Sequence, residues 1–138
     1  GAAQKIHMGC YGIGPSRLLG TIAECLSDDR GLIWPEAVAP YAVHLVSLAR
    51  AEEEIAAVDA VYNQLGAAGV DVLYDDRHQL QAGEKLADAD LIGIPHRLVV
   101  SKKTLAQNSI EWKPRTAAAA QLVTLEQFLV QSRKTSAS

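Results

Sequence analysis

The segment from Val70 to Val100 constrains the fold most. It reads as a short apolar run (Val70–Tyr74), a charged turn (Asp75-Asp76-Arg77), a polar loop and a helical stretch from Gly83 to Asp90. Two further apolar runs, Leu91–Ile94 and Arg97–Val100, flank a turn at Pro95. Short apolar runs bounded by turn residues are strands, and their alternation with a helical stretch predicts a sheet with a helix packed on it. Upstream, Tyr41–Leu48 is apolar on both faces through Val43, Leu45, Val46 and Leu48, the pattern of a strand covered on both sides. Glu52–Ala68 carries an apolar stripe at Ile55, Val58, Val61, Tyr62 and Leu65 and opens on Glu52-Glu53-Glu54. That is an amphipathic helix whose acidic start suits the positive end of its dipole. Ile110–Lys113 alternates like a half-exposed strand, and Leu122, Leu125, Phe128 and Leu129 stripe a final helix. The order from Tyr41 is therefore β-α-β-α-β-β-β-α. The expected class is α/β, with a mixed, mostly parallel sheet of about five strands and helices on both faces.

Before Tyr41 the pattern is different. Lys5–Tyr11 reads as a short strand, and Gly12-Ile-Gly-Pro-Ser-Arg17 as a sharp turn into a helix. Pro15 suits the first helical position. Leu18, Leu19, Ile22, Ala23 and Leu26 share one face of that helix, and Gly31 is placed to cap its end. Leu32–Pro40 is a linker candidate bracketed by Pro35 and Pro40, with Trp34 expected to anchor it by burial. Ser132–Ser138 is expected to be a disordered tail.

Several chemistries are disfavoured. No apolar run approaches the ~20 residues of a membrane span. The N-terminus shows no basic segment leading into a long apolar run, so a secretory leader is not expected. Cys10 and Cys25 lie far apart, which argues against a disulfide framework or a zinc site and fits a reducing cytosol. His7, His44, His78 and His96 show no metal-ligand spacing, so no metal site is expected. Net charge is −3, which does not advertise a nucleic-acid binder, and no DNA partner is expected. The charge is uneven, however. Between Arg97 and Arg115 the bases Arg97, Lys102, Lys103, Lys113 and Arg115 face Glu111 alone. Such a strip either meets phosphates or is a solvated loop and sheet edge. Asp75-Asp76-Arg77 likewise has two readings: a solvated turn, or a ligand contact beyond the carboxyl end of a strand. Gly12-x-Gly14-x-x-Arg17 is neither the dinucleotide fingerprint nor a P-loop. Its glycines would let an anionic ligand approach the backbone, with Arg17 within reach of a phosphate, or it is a plain strand-to-helix turn.

Together these segments carry a resemblance. Met8-Gly-Cys-Tyr-Gly-Ile-Gly-Pro-Ser-Arg17 resembles motif 3 of class II aminoacyl-tRNA synthetases in its prolyl form. Ile33-Trp34-Pro35, Ala39-Pro40-Tyr41 and Val43-His44 are similar to that family's passage into its anticodon-binding domain. Asp75-Asp76-Arg77, Gly83-x-Lys85, Ala87-Asp88, Leu91-Ile-Gly-Ile-Pro-His-Arg97, Val99-Val100 and Glu111-x-Lys113-x-Arg115 follow the usual run of the domain. The chain thus resembles the C-terminal part of the bacterial-type prolyl-tRNA synthetases of class IIa. Two departures stand out: Gln81-Ala82 replaces the Arg-Pro of many members, and Pro15 is unusual in motif 3.

The resemblance implies residues 1–31 as a catalytic-domain remnant, 32–40 as linker, 41–131 as anticodon-binding domain and 132–138 as tail. It implies ATP contacts at Gly12, Gly14 and Arg17, anticodon contacts at Asp76, Arg77 and Lys85, and phosphate contacts at Lys102, Lys103, Lys113 and Arg115. The implied partner is proline tRNA through its anticodon loop. The parent enzyme is expected to be a cytoplasmic homodimer using ATP and Mg. Motifs 1 and 2 are absent from the chain, so no catalytic residue, cofactor or aminoacylation is expected of it alone. Two rival readings are a free-standing accessory binding module and a small nucleotide-binding α/β enzyme. The second requires the helix from Pro15 to pack on the sheet containing Tyr41–Leu48.

Overall fold

A computed structural model describes residues 2–135, with side chains through Ser132. The elements are α1 (Pro15–Cys25), β1 (Ser27–Asp28), β2 (Gly31–Leu32), β3 (Val43–Ser47), α2 (Glu52–Ala67), β4 (Val72–Asp75), α3 (Ala82–Ile92), β5 (His96–Val100), α4 (Lys102–Ala106), β6 (Ile110–Pro114), β7 (Gln121–Val123) and α5 (Leu125–Thr135).

The main sheet has five strands in the order β4-β3-β5-β6-β7. Helical crossovers make β4, β3 and β5 parallel, and β5, β6 and β7 pair antiparallel. The sheet is mixed as expected, though its pairings divide evenly between the two senses. β3 is central to the parallel part and every one of its residues is buried. Side chains alternate across a strand, so β3 supplies both layers of core. Val43 and Leu45 join Leu98, Val100 and Ile110 against α2 and Phe128 of α5. On the opposite face Val46 and Val99 pack against Ala89 and Leu86 of α3.

Acidic or polar side chains fix helix starts, among them those of α2, α4 and α5. Glu54 accepts from the Arg50 and Ala51 amides at 3.2 and 3.4 Å. Ser101 and Thr104 exchange backbone-to-side-chain bonds at 2.9 and 3.3 Å. Thr124 and Gln127 do the same at 2.9 and 3.2 Å. Each pair satisfies amides that the first helical turn leaves unpaired.

The structure corrects several expectations. Lys5–Tyr11 forms no strand; no neighbouring backbone offers a ladder, and a strand without one has no stabilising bonds. α1 forms but buries none of its residues. It ends at Leu26 rather than at Gly31, which instead lies in a short β1–β2 hairpin with φ +145. Leu91–Ile94 is not a strand: α3 continues through Ile92 and is capped by left-handed Gly93. A four-residue apolar run carries no period that separates strand from helix. α4 and β7 appear where no element was expected, and Leu122 belongs to β7, not to the final helix. α5 extends to Thr135, into the segment expected to be a disordered tail; residues 136–138 lie outside the described residues.

The stretch around the expected linker makes specific contacts. The Trp34 amide donates to Gly93 O at 3.1 Å and its indole Nε1 to Ile92 O at 3.0 Å. Arg115 donates to both oxygens of Asp28, at 3.0 and 2.6 Å, and to Asp90 O at 3.1 Å. A Cβ added at Gly31 would strike the Leu91 backbone, and one at Gly93 would strike Leu32. The two glycines let the hairpin lie directly on the end of α3.

Candidate functional site

The carboxyl ends of the parallel strands carry the main polar constellation. Asp75 closes β4 with its side chain 3% exposed. The chain then turns so that Arg77 folds back on it. Arg77 Nε donates to Asp75 Oδ1 at 2.9 Å, and Nη2 donates to Oδ2 at 2.7 Å. The Arg77 amide adds a bond to Oδ1 at 3.1 Å. Nη2 also lies 2.9 Å from Oδ2 of Asp88 on α3, and the Arg77 side chain stays 47% exposed. The bonds from Arg77, helped by Lys85, hold the Asp75 carboxyl down at about 2 although burial pushes it up. Asp75 and then Asp88 push the Arg77 guanidinium above its already high ordinary value. The result is a planar cation held in place by two carboxylates, presented at the end of a strand.

Lys85 lies beneath it and is 1% exposed. Its ammonium donates to Ser47 O at 2.7 Å and Asp75 O at 3.4 Å, and stands 3.6 Å from Asp75 Oδ1. It ties β3, β4 and α3 together. It does not face solvent, which corrects its expected place among base-contacting residues. Asp76 is exposed one residue beyond β4. His44, buried on β3 on the α3 side of the sheet, has no hydrogen-bond partner for Nδ1. Burial pushes its pKa down, while the nearby Asp75 carboxylate opposes that.

The expected phosphate contacts do not form one strip. Lys102 and Lys103 are exposed at the start of α4, at the carboxyl end of β5. Two strand spacings put them ~10 Å along the sheet from Asp75. Lys113 is half-buried on β6, opposite Arg97. Because β6 runs antiparallel, Lys113 sits toward the amino end of β5. Arg115 is not on the surface at all: its side chain is 3% exposed and paired with Asp28. Its expected phosphate role is thereby corrected to a structural one.

At that opposite end, His96 is fixed between two groups. Trp112 Nε1 donates to its Nδ1 at 3.3 Å, and its Nε2 lies 3.2 Å from Glu36 Oε1. Burial pushes the His96 pKa down, against the pull of Glu36. The pair borders a cavity of about 340 Å³.

Gly12, Gly14 and Arg17 are all exposed, and no cavity described here includes them. α1 buries no residue against the sheet, so the arrangement required by a small nucleotide enzyme is not formed. Among the described residues no cluster of three or more His, Cys, Asp or Glu side chains could hold a metal ion. No described helix is long and apolar enough to cross a membrane.

The residues that residue-by-residue reading passed over are Asp75 as the buried orienter and Asp88 as the second partner of Arg77. A signal for Asp88 was present: it lies three residues after Lys85, a spacing that places both on one face of a helix.

Comparison with known proteins identifies the family. The family described as "Anticodon binding domain" matches residues 38–134. A proline--tRNA ligase of Azorhizobium caulinodans is 49% identical over 125 residues, covering 90% of this chain and 28% of the relative. One from Legionella pneumophila strain Corby is 45% identical over 131 residues, covering 94% and 23%. One from Geobacillus sp. strain WCH70 is 46% identical over 130 residues, again covering 94% and 23%. The chain therefore spans about a quarter of the length of these relatives. With the family match running from before β3 to near the end of α5, this chain belongs to the anticodon-binding domain family.

Proposed function

We propose that this chain recognises the anticodon loop of proline tRNA, as the C-terminal module of a proline–tRNA ligase. The observation that carries the reading is Arg77: a half-exposed guanidinium, oriented by Asp75, at the carboxyl end of a parallel strand. Single-stranded RNA loops are read by hydrogen bonds to base edges, and an oriented guanidinium suits the acceptors of guanine. The proline anticodon carries two guanines. Lys102 and Lys103, on the same end of the sheet, are placed to meet the phosphates beside the read bases. Gly12, Gly14 and Arg17 belong in this reading to an ATP and Mg site whose other walls are formed by catalytic-domain sequence outside residues 1–138. The chain alone is then expected not to attach proline.

The test is a titration of the chain with a proline-tRNA anticodon stem-loop at two salt concentrations, beside a loop with both guanines replaced. Loss of binding on guanine replacement, repeated by Arg77→Ala, supports the reading. Salt-sensitive binding that ignores the guanines leaves only a phosphate-binding surface. Binding of neither loop, together with tight ATP binding, overturns it.

A further inference from the structure

We infer that Asp28 and Arg115 are positioning residues: their pair sets the direction in which α1 leaves the sheet, and with it the angle between the catalytic sequence of a proline–tRNA ligase and its anticodon-binding module. The inference rests on the function proposed above and adds a joint to it, away from the base-reading end of the sheet.

α1 has no anchor of its own. It buries none of its residues, so its direction is set where it ends. Leu26 is its C-cap, and β1 starts at Ser27. The Leu26 amide donates to Ile22 O at 2.9 Å, and the Leu26 carbonyl accepts from the Ile33 amide at 2.8 Å. Helix and hairpin therefore share Leu26, and whatever holds the hairpin aims the helix.

Charge holds the hairpin. Arg115 directly follows β6, and its side chain is 3% exposed. Its Nη1 and Nη2 donate to the two oxygens of Asp28 at 3.0 and 2.6 Å, while Nε donates to Asp90 O at 3.1 Å. A two-bond guanidinium–carboxylate pair fixes orientation as well as distance. The bond from Arg115 holds the Asp28 carboxyl well below the ordinary carboxylate range, so the pair stays ionised near neutral pH. Arg30 repeats the link at the surface, 3.6 Å from Asp28 and 3.7 Å from Asp90. Arg97 of β5 holds Asp90 in turn at 2.8 Å. Opposite charges thus alternate from β5 through α3 to the hairpin and back to the end of β6. Leu18 and Leu19 on α1 remain half-exposed. With α1 part of the catalytic domain, what aims the helix aims the domain.

Two variants test the joint. Asp28→Asn removes the charge, and Arg115→Lys keeps it without the planar fork that meets both oxygens. In this chain, spin labels at Ser16→Cys and Asn63→Cys, with Cys10 and Cys25 replaced by serine, report the separation of α1 from α2. Wild type is expected to give one narrow distance distribution, and both variants a broader one. In the parent ligase, kcat for charging full-length proline tRNA is expected to fall by about tenfold or more, since misplacing reacting groups by ~1 Å can cost ~100-fold. Proline-dependent pyrophosphate exchange, which needs no tRNA, and anticodon stem-loop affinity should stay at wild type. A pair that only stabilises the fold would lower the urea midpoint, keep the distribution narrow and leave the ratio of charging to exchange unchanged; that result overturns the inference. A broad distribution in wild type, or equal loss of exchange and charging in the variants, overturns it too. If the wild-type chain binds no stem-loop, the anticodon reading falls instead, and the label distances still decide the joint.

Discussion

Asp75 carries the strand end more than any other residue. It is the common partner of Arg77 above and Lys85 below. Removing its charge would strand the Lys85 ammonium in a site 1% exposed. Asp75→Asn is therefore expected to cost about 3–5 kcal/mol in urea unfolding, the usual penalty for breaking a buried ion pair on one side. The acid limb follows from the same pair. The Asp75 carboxyl is held at about 2 in the fold, below its ordinary 3.8, so the unfolded chain takes up the proton first as pH falls. Its contribution is complete above 3.8 and is lost as pH drops toward about 2. Asp75→Asn should flatten that part of the stability profile. The histidines act higher on the scale. His44 and His96 both have pKa values below the ordinary 6.5 in the fold, so below 6.5 the unfolded chain binds protons that the folded chain refuses. Stability should decline as pH falls through 6.5, and His96→Gln should reduce that slope. For His96 the cause is burial, which outweighs the pull of Glu36; the Trp112 donation to Nδ1 further disfavours a proton there.

At the level of elements, the end of α3 decides how the hairpin joins the sheet. Gly93 has φ +76, and an added Cβ would meet the Leu32 backbone. Gly93→Ala should combine left-handed strain with a clash, costing about 2 kcal/mol or more in unfolding experiments. Gly66→Ala, in α2 with nothing within 4 Å of the added carbon, is the control and should be neutral or slightly stabilising by helix propensity. The elements with a long apolar period were legible in sequence. α2 follows its stripe to within one residue, and β3 shows the both-face burial of its apolar run. The short ones were not. Leu91-Ile92 completes a helix rather than starting a strand because α3 already provides the preceding turns for its amides to bond. β7, only three residues long, exists because β6 offers it a ladder, and nothing local specifies that.

The molecule as a whole divides at about Leu26. Residues before it are almost all exposed, including Ile6, Met8, Tyr11, Ile13, Leu18 and Leu19. Residues after it are tied into the sheet through Asp28, Trp34 and the glycine contacts. Deleting residues 1–26 should leave the urea midpoint unchanged and reduce concentration-dependent association, read by sedimentation, since exposed apolar patches drive self-contact. Deleting residues 1–40 should lower the midpoint, because Arg115 would lose Asp28 and remain buried without a charge partner. By itself, the sequence determined the order of the longer elements, the central buried strand and the charged turn beyond β4. Periodicity and turn preference are local, and a single segment carries them. Only the tertiary structure decided which charges face solvent. Lys85 and Arg115 look as available as Arg77 along the chain, yet both are buried, Arg115 by a carboxylate 87 residues away. Long cationic side chains have no intrinsic place; they go where distant backbone oxygens and carboxylates can offset the loss of water.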